Sequence, residues 1–172
     1  MKASVIMTTY NAVAWLQKVL WGFAAQEFRD FELVIADDGS TPETADLIER
    51  MRPELGLEIQ HVWQPDEGFQ KCRILNKAIL HARNDYLVFT DGDCVPRADF
   101  LRVHAEKARP GCYLSGSYYK LPMSTSEAIN RDDIESGRAF DWRWLRSNGL
   151  PRSAKRTKID AGPRLAPWLN RM

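Results

Sequence analysis

The sequence predicts an α/β fold built on a mostly parallel sheet flanked by helices. Short apolar segments rich in β-branched and aromatic residues alternate with longer segments of helical periodicity. Because alternating strands and helices form βαβ units with right-handed crossovers, the apolar segments are expected to lie side by side in one sheet. The chain has 172 residues, 44% of them hydrophobic and 27% charged, which is ordinary for one globular domain.

Four segments are predicted to be buried strands, since each is a short apolar run bounded by polar or turn residues. They are Ser4–Thr8, Phe31–Ala36, Leu57–Val62 and Tyr86–Thr90. A fifth strand is predicted at Cys112–Tyr118.

Four helices are predicted between and after these strands. Apolar residues recur on one helical face in residues 12–25 and 71–82. Thr41 is expected to be the N-cap of another helix, with Pro42 at its first position. A fourth helix is expected to open at Pro96.

The pattern weakens in the C-terminal part of the chain. Residues 131–150 are predicted to hold an amphipathic helix, and residues 151–172, with three prolines, are predicted to be loop or disorder. Three tryptophans in this part have no evident packing partner: Trp142, Trp144 and Trp168.

Cysteine usage and the N-terminus indicate a cytoplasmic protein. Cys72, Cys94 and Cys112 are scattered without metal-ligand spacing, so we expect buried thiols in a reducing compartment. The N-terminus enters a strand without room for a secretory segment, and no apolar run is long enough to cross a bilayer. The net charge of +1 gives no overall field that would attract nucleic acid.

The most informative motif is Asp91-Gly92-Asp93, directly after the fourth predicted strand. Two neighbouring carboxylates repel each other unless a cation or a proton relieves them. Mg²⁺ or Mn²⁺ takes one or two carboxylates and fills its remaining positions with phosphate oxygens and water. Taken alone, the motif also fits a solvated acidic turn.

Polar clusters follow all four predicted strands. They are Thr8-Thr9-Tyr10-Asn11, Asp37-Asp38-Gly39-Ser40, Asp66 to Lys71 with Arg73, and Asp91-Gly92-Asp93. Singly, each cluster also fits a helix cap, a turn or a solvated helix residue. Because parallel strands end at the same edge of a sheet, their shared position favours one ligand site.

The residue types in these clusters suit a nucleoside diphosphate. The Asp38 carboxylate can accept the imide N–H of uracil or a ribose hydroxyl, and Tyr10 offers a flat face for a base. Lys71 and Arg73 suit phosphate oxygens. The chain has neither a Gly-x-x-x-x-Gly-Lys loop nor a Gly-x-Gly-x-x-Gly turn after its first strand. The interpretation that remains is a metal-dependent site that binds a nucleoside diphosphate.

These motifs resemble the signature of family 2 glycosyltransferases with the GT-A fold, which has a Rossmann-like sheet. The resemblance is carried by Ser4–Asn11, Phe31–Ser40 and Asp91–Asp93 and covers residues 2–120. The segment from Asp66 to Pro96 is similar to bacterial chondroitin-polymerase-like enzymes and to lipopolysaccharide or capsule sugar transferases.

The resemblance implies a role for each matching residue in binding the nucleotide. Thr8, Tyr10 and Asn11 would line the nucleotide pocket, Asp38 would hold the base, and Arg73 would reach the nucleotide.

The resemblance also implies the chemistry. Asp91 and Asp93 would be the catalytic carboxylates and the ligands of Mn²⁺ or Mg²⁺, with Asp91 also near the ribose. The cation would offset the charge that develops on the leaving nucleoside diphosphate. Family members invert the anomeric centre by direct displacement with a carboxylate base. The implied donor is a UDP-sugar, and the implied acceptor is a glycan or lipid-linked glycan in surface polysaccharide or lipopolysaccharide synthesis.

The same comparison predicts the domain organisation. Residues 1–120 would be the nucleotide-sugar-binding domain, and residues 121–172 a partial acceptor-side segment or a poorly ordered tail. None of the acids after residue 106 sits in a motif that matches the family's base, so the acceptor-binding half is expected to be missing. Residues 131–172 carry ten basic and five acidic side chains, and this tail is either a linker or a peripheral contact with an anionic inner-membrane face.

Two other functions stay open at this point. One is a catalytically silent nucleotide-sugar-binding or assembly module, since no base is identified. The other is a nucleotidyltransferase, which would be expected to carry a Gly-rich basic loop where this chain has Thr-Thr-Tyr-Asn.

Overall fold

A computed structural model describes residues 1–151 of the chain, and its centre is a four-stranded parallel sheet. The strand order is β3-β2-β1-β4, and every neighbouring pair is parallel. The strands are β1 (Ala3–Thr9), β2 (Phe31–Asp37), β3 (Ile59–Trp63) and β4 (Tyr86–Asp91). The predicted α/β fold with a parallel sheet is confirmed, and all four N-terminal strands lie where the sequence predicts them.

Seven α-helices accompany the sheet in the described residues. They are α1 (Val13–Ala24), α2 (Pro42–Leu55), α3 (Lys71–His81), α4 (Phe100–Lys107), α5 (Met123–Ala128), α6 (Arg131–Glu135) and α7 (Trp142–Ser147). A short 3₁₀ turn, Arg138–Phe140, lies between α6 and α7. Within residues 1–151, no helix combines the length and apolar character needed to span a bilayer.

Successive side chains of a strand point to opposite sides, and those of the two central strands, β1 and β2, are buried on both faces of the sheet. Val5 and Met7 of β1 face a large cluster that also holds apolar residues of α1, α2 and α4. Ile6, between them, faces a smaller cluster with Ile74 and Ala78 of α3. The result is a three-layer arrangement, with helices on both sides of the sheet.

The start of α4 differs from the prediction. Pro96 does not open the helix, which begins at Phe100. The cause is Gln26, which is fully buried. Its side-chain Nε2 donates to the Arg97 carbonyl at 2.7 Å, and its Oε1 accepts the Leu101 amide at 3.0 Å. These two bonds hold residues 97–99 as a turn and supply the cap of α4.

The strand predicted at Cys112–Tyr118 is wrong. These residues form no strand and are all exposed. The cysteine prediction is also wrong, because Cys72 and Cys112 are exposed and Cys94 is half-buried. In the described part of the chain, β4 pairs with β1 alone, so nothing orders residues 112–118 as an additional strand.

The single helix predicted for residues 131–150 is divided into α6, the 3₁₀ turn and α7. Gly137, with a φ of 77°, separates α6 from the 3₁₀ turn. Asp141 separates that turn from α7, because its backbone is extended and its carboxylate accepts the Trp144 amide at 2.8 Å to cap α7. Apolar side chains of this part pack with Trp21 and Val95, and Trp144 is among them, so it does have a packing partner. Trp168 and most of the predicted loop, residues 152–172, lie outside the described residues.

A buried carboxylate ties the strands together at the amino-terminal edge of the sheet. Glu32 accepts hydrogen bonds from the Ser4 hydroxyl at 2.6 Å, the Arg83 amide at 2.7 Å and the Gln60 side chain at 2.7 Å. Burial pushes the pKa of Glu32 up, but these hydrogen bonds outweigh it, so the pKa lies below its ordinary value. The network joins β1, β2, β3 and the turn before β4.

We predict that Glu32→Gln lowers the free energy of unfolding by about 1.5–3 kcal/mol at pH 7, because a neutral amide cannot accept all of these donors. The effect depends on pH. A depressed pKa gives stability that is present above the unfolded-state pKa of about 4.3 and lost as the pH falls through the folded-state pKa. Urea unfolding at pH 7 and at pH 3–4 should show the two proteins converging in acid.

The matched control is Glu49→Gln, which removes an exposed carboxylate paired with Arg52. Its effect should stay within about 0.5 kcal/mol. A difference between wild type and Glu32→Gln that does not change with pH would contradict the assigned charge of Glu32.

Candidate donor-binding site

Polar residues meet at the carboxyl edge of the sheet, around the ends of β1, β2 and β4. Thr8 lies opposite Asp91 in the register of β1 with β4, and Thr9 lies opposite Asp37 in that of β1 with β2. The strand order reverses at β1, since β2 follows on one side and β4 on the other. Open α/β sheets bind ligands at such a point.

Asp91 accepts hydrogen bonds from both β1 and α3. Its Oδ1 accepts the Lys71 ammonium at 2.6 Å and the Thr8 hydroxyl at 3.0 Å. The hydrogen bond from Lys71 is the main cause that holds the pKa of Asp91 below its usual value, against partial burial. Asp91 is therefore ionised at neutral pH.

Gly92 allows the chain to turn tightly after β4. Its amide donates to the Thr8 carbonyl at 2.8 Å. A Cβ at this position would lie 2.6 Å from the same carbonyl oxygen, which no side chain tolerates. The close approach places Asp91 and Asp93 on either side of the turn.

Asp91, Asp93 and Cys94 each offer one ligand atom, and these atoms lie within 4.8 Å of one another. Burial and the neighbouring Asp93 raise the pKa of the Cys94 thiol to about 11, so it stays protonated at neutral pH. The two exposed carboxylates are the hard oxygen ligands that Mg²⁺ and Mn²⁺ prefer. Asp91 already accepts a cationic ammonium, and this donor set fits a divalent cation.

Asp38 is nearly buried, and each of its two carboxylate oxygens accepts a hydrogen bond. The Gln64 side chain donates to its Oδ1 at 2.6 Å, and the Gln70 amide donates to its Oδ2 at 2.8 Å. The side-chain oxygen of Gln64, Oε1, is buried and has no hydrogen-bond partner within residues 1–151. Gln64 was not predicted as a site residue, although it directly follows a strand, and that position is the signal that could have revealed it. Gln70 lies in the predicted cluster from Asp66 to Lys71, but no individual role was predicted for it.

Asp37, the neighbour of Asp38, has a structural role. It is fully buried, and its carboxylate bonds to His61 Nε2 at 2.9 Å and accepts the Ser40 amide at 2.8 Å. Trp63 Nε1 donates to the Ser40 carbonyl at 3.0 Å. These bonds fix the turn after β2, so that Asp38 points away from the core.

Tyr10 and Asn11 lie in the loop after β1. The Tyr10 hydroxyl donates to Asp66 at 2.9 Å, and this bond raises the pKa of the tyrosine. The ring is half-exposed and remains available to stack on a ligand. Asn11 has a positive φ of 47°, and its side-chain oxygen accepts the Thr41 amide at 2.9 Å. Asn11 therefore links this loop to the start of α2.

Arg73 is the predicted site residue that the structure does not join to the others. Its guanidinium pairs with Glu67 at 2.5 Å, and both side chains are exposed. Contact with a nucleotide would require this pair to open.

Residues 4–161 match the family model described as Glycosyl transferase family 2. The chain belongs to glycosyl transferase family 2. This match covers most of the chain, and it includes the strands and loops described above except the first residue of β1. The predicted family is confirmed.

Relatives of this family 2 chain are glycosyltransferases. Poly(ribitol-phosphate) beta-N-acetylglucosaminyltransferase TarS of Staphylococcus aureus is 35% identical over 95 residues, which are 54% of this chain and 16% of TarS. Chondroitin synthase of Escherichia coli is 29% identical over 104 residues, 60% of this chain and 15% of that enzyme. The chain thus spans less than a fifth of the length of these two curated relatives.

Solved structures of similar fold confirm the predicted GT-A architecture. S. aureus TarS 1-349 in complex with UDP-GlcNAc has a TM-score of 0.53 at 30% identity and covers 62% of this chain and 30% of that one. The mannosyltransferase PcManGT from Pyrobaculum calidifontis, in complex with GDP-Man and Mn²⁺, has a TM-score of 0.56 at 30% identity and covers 63% and 33%. The family 2 chain corresponds to part of a GT-A domain.

We predict that Gly39→Ala destabilises the chain because the turn after β2 has no room for a side chain. Gly39 has φ +96°, and a Cβ there would lie 2.6 Å from the Asp66 backbone. The φ angle alone costs about 1–3 kcal/mol for an ordinary residue, and the clash adds to it. Urea unfolding measures the loss.

Two controls separate the causes. Gly68 has φ +78°, and a Cβ there would have no atom within 4 Å, so Gly68→Ala measures the cost of the φ angle alone. Gly116 has neither a positive φ nor a close contact, so Gly116→Ala should cost least. Equal losses for Gly39→Ala and Gly68→Ala would show that the contact with Asp66 does not matter.

Proposed function

We propose that this chain is the donor-binding part of a metal-dependent, inverting glycosyltransferase that uses a UDP-sugar. One observation carries the proposal: the Asp38 pocket and the Asp91/Asp93 pair lie at the same edge of one sheet. The relatives support it, since solved neighbours hold UDP-GlcNAc in one case and GDP-Man with Mn²⁺ in another.

On the nucleotide side, Asp38 selects the base. Gln64 and Gln70 fix the orientation of its carboxylate, and each oxygen keeps a lone pair for a further donor. The uracil imide N–H or a ribose hydroxyl is such a donor. The half-exposed Tyr10 ring covers the base, and Thr8 holds Asp91 beside the ribose.

On the diphosphate side, Asp91 and Asp93 would hold Mn²⁺ or Mg²⁺. The cation supplies charge stabilisation for the departing nucleoside diphosphate. Lys71 adds an ammonium at the same place, and Arg73 can add a guanidinium when its pair with Glu67 opens. These residues bind and orient the leaving group.

The described acids after residue 106 are largely engaged in structure. Asp133 is buried, forms a capping box with Asn130 and pairs with Arg138 at 3.0 Å. Glu135 pairs with Arg131, and Asp141 caps α7. None of these three carboxylates is free to act as the base that inversion requires. Glu127 and Asp132, the other described acids of this part, are exposed. Donor binding as the role of residues 1–151 is supported by Asp38, Asp91 and Asp93 at the sheet edge.

That engagement favours one alternative, a nucleotide-sugar-binding module that does not transfer the sugar. Release of UDP from a UDP-sugar separates the two candidates. For the transferase we propose a glycan acceptor in surface polysaccharide synthesis. The support is that named relatives act on poly(ribitol-phosphate) or are chondroitin synthases.

We predict that the chain binds UDP in the presence of Mn²⁺ and that Asp93→Asn weakens this binding at least about tenfold, equivalent to about 1.4 kcal/mol. Asp93 is exposed, so the fold should remain intact. Isothermal titration calorimetry with Mn²⁺ and with chelator measures the effect, and thermal melts check the fold.

Asp85→Asn is the matched control, because it makes the same charge change at the exposed amino-terminal end of β4. It should bind UDP like wild type. Equal affinity in chelator would overturn the metal dependence, and a preference for GDP or ADP would overturn the uridine assignment.

A further inference from the structure

Lys71 makes the ion pair that links α3 to the end of β4. It is the first residue of α3, and its Nζ lies 2.6 Å from Asp91 Oδ1. The two side chains are 38% and 53% exposed, so the pair lies at the open side of the site. Among the described residues, no basic side chain forms an ion pair with Asp93.

The ammonium occupies one oxygen of a carboxylate that a divalent cation at this cluster would use. Asp91, whose Oδ1 Lys71 contacts, belongs to the cluster of Asp91, Asp93 and Cys94, whose ligand atoms lie within 4.8 Å of one another. A divalent ion on Asp91 and Asp93 would face the ammonium at short range, and like charges repel. The ion and Lys71 therefore compete for Asp91.

We propose that Lys71 takes the place of the cation on Asp91 in the ligand-free chain and moves to the diphosphate when metal and donor bind. The inference rests on the proposed function and adds a coupling residue to it. Lys71 is a positioning residue in this account, since it acts on the metal through Asp91.

The side chain is suited to such an exchange. A lysine ammonium is a compact charge on a flexible four-carbon stem, and it can change partners without moving the backbone. The backbone here is held independently, because the preceding amide, that of Gln70, donates to Asp38 at 2.8 Å. Tyr10 holds Asp66 of the same loop at 2.9 Å. The start of α3 stays in place while the ammonium is free to move.

The exchange couples metal binding to nucleotide binding. Without nucleotide, an incoming cation displaces the Lys71 ammonium from Asp91, and the ammonium then has no anion to pair with. With nucleotide, the displaced ammonium gains the diphosphate. By linkage, each ligand must then raise the affinity for the other by the same factor, and removing Lys71 must lower that factor.

The test is Lys71→Gln in the full chain. Electron paramagnetic resonance of free Mn²⁺ gives the metal affinity without nucleotide, and calorimetry gives the UDP affinity in saturating Mn²⁺. Without the competing ion pair, Mn²⁺ alone should bind about two- to fivefold more tightly, the range expected for an exposed pair. UDP in Mn²⁺ should bind about five- to tenfold more weakly, since the diphosphate loses its ammonium.

Lys77→Gln is the control, because it removes one positive charge from the same helix, six residues further along. It should change neither affinity by more than about twofold. The same changes in Lys77→Gln would show an effect of net charge and overturn the inference.

Other outcomes separate this inference from the proposed function. If wild type binds UDP with Mn²⁺ but Lys71→Gln leaves Mn²⁺ affinity unchanged or lowers it, the proposed function stands and the role of Lys71 falls. If wild type binds no Mn²⁺ with or without UDP, both are overturned.

Discussion

The site depends on the parallel pairing of β1 with a strand on each side. Because β2 and β4 both run parallel to β1, the residues that follow all three strands lie at one edge of the sheet. The register sets Thr8 opposite Asp91 and Thr9 opposite Asp37. A shift of one residue would turn every side chain of a strand to the other face and separate the carboxylates from their partners.

Concentrating carboxylates at one edge requires that their mutual repulsion be offset. Three of them have a specific partner: Asp37 has His61, Asp38 has Gln64, and Asp91 has Lys71. The buried carboxylates are satisfied by groups of neighbouring loops, whereas Asp91 and Asp93 are exposed. This difference divides the edge into a fixed part around Asp38, where we propose that the base binds, and a solvent-open part around Asp91 and Asp93.

Local sequence patterns predicted the sheet and the gathering of polar clusters at its carboxyl edge, because strand periodicity and strand-end polar clusters are short-range signals. What they could not predict depends on contacts distant in sequence. Gln26 places the start of α4 from 75 residues away in the sequence. Cys112–Tyr118 has the composition of a strand, but pairing, not composition, makes a strand. Gln64 becomes a site residue only once β3 lies beside β2.

The most direct test of the account is the position of manganese in crystals of the chain grown with UDP and Mn²⁺. Anomalous scattering at the manganese edge locates the ion independently of the protein model. The account predicts one strong peak at a ligand distance of about 2.1 Å from Asp91 and Asp93 oxygens and from the diphosphate. Ordered UDP at this edge with manganese bound elsewhere, or UDP bound away from Asp38, would contradict it.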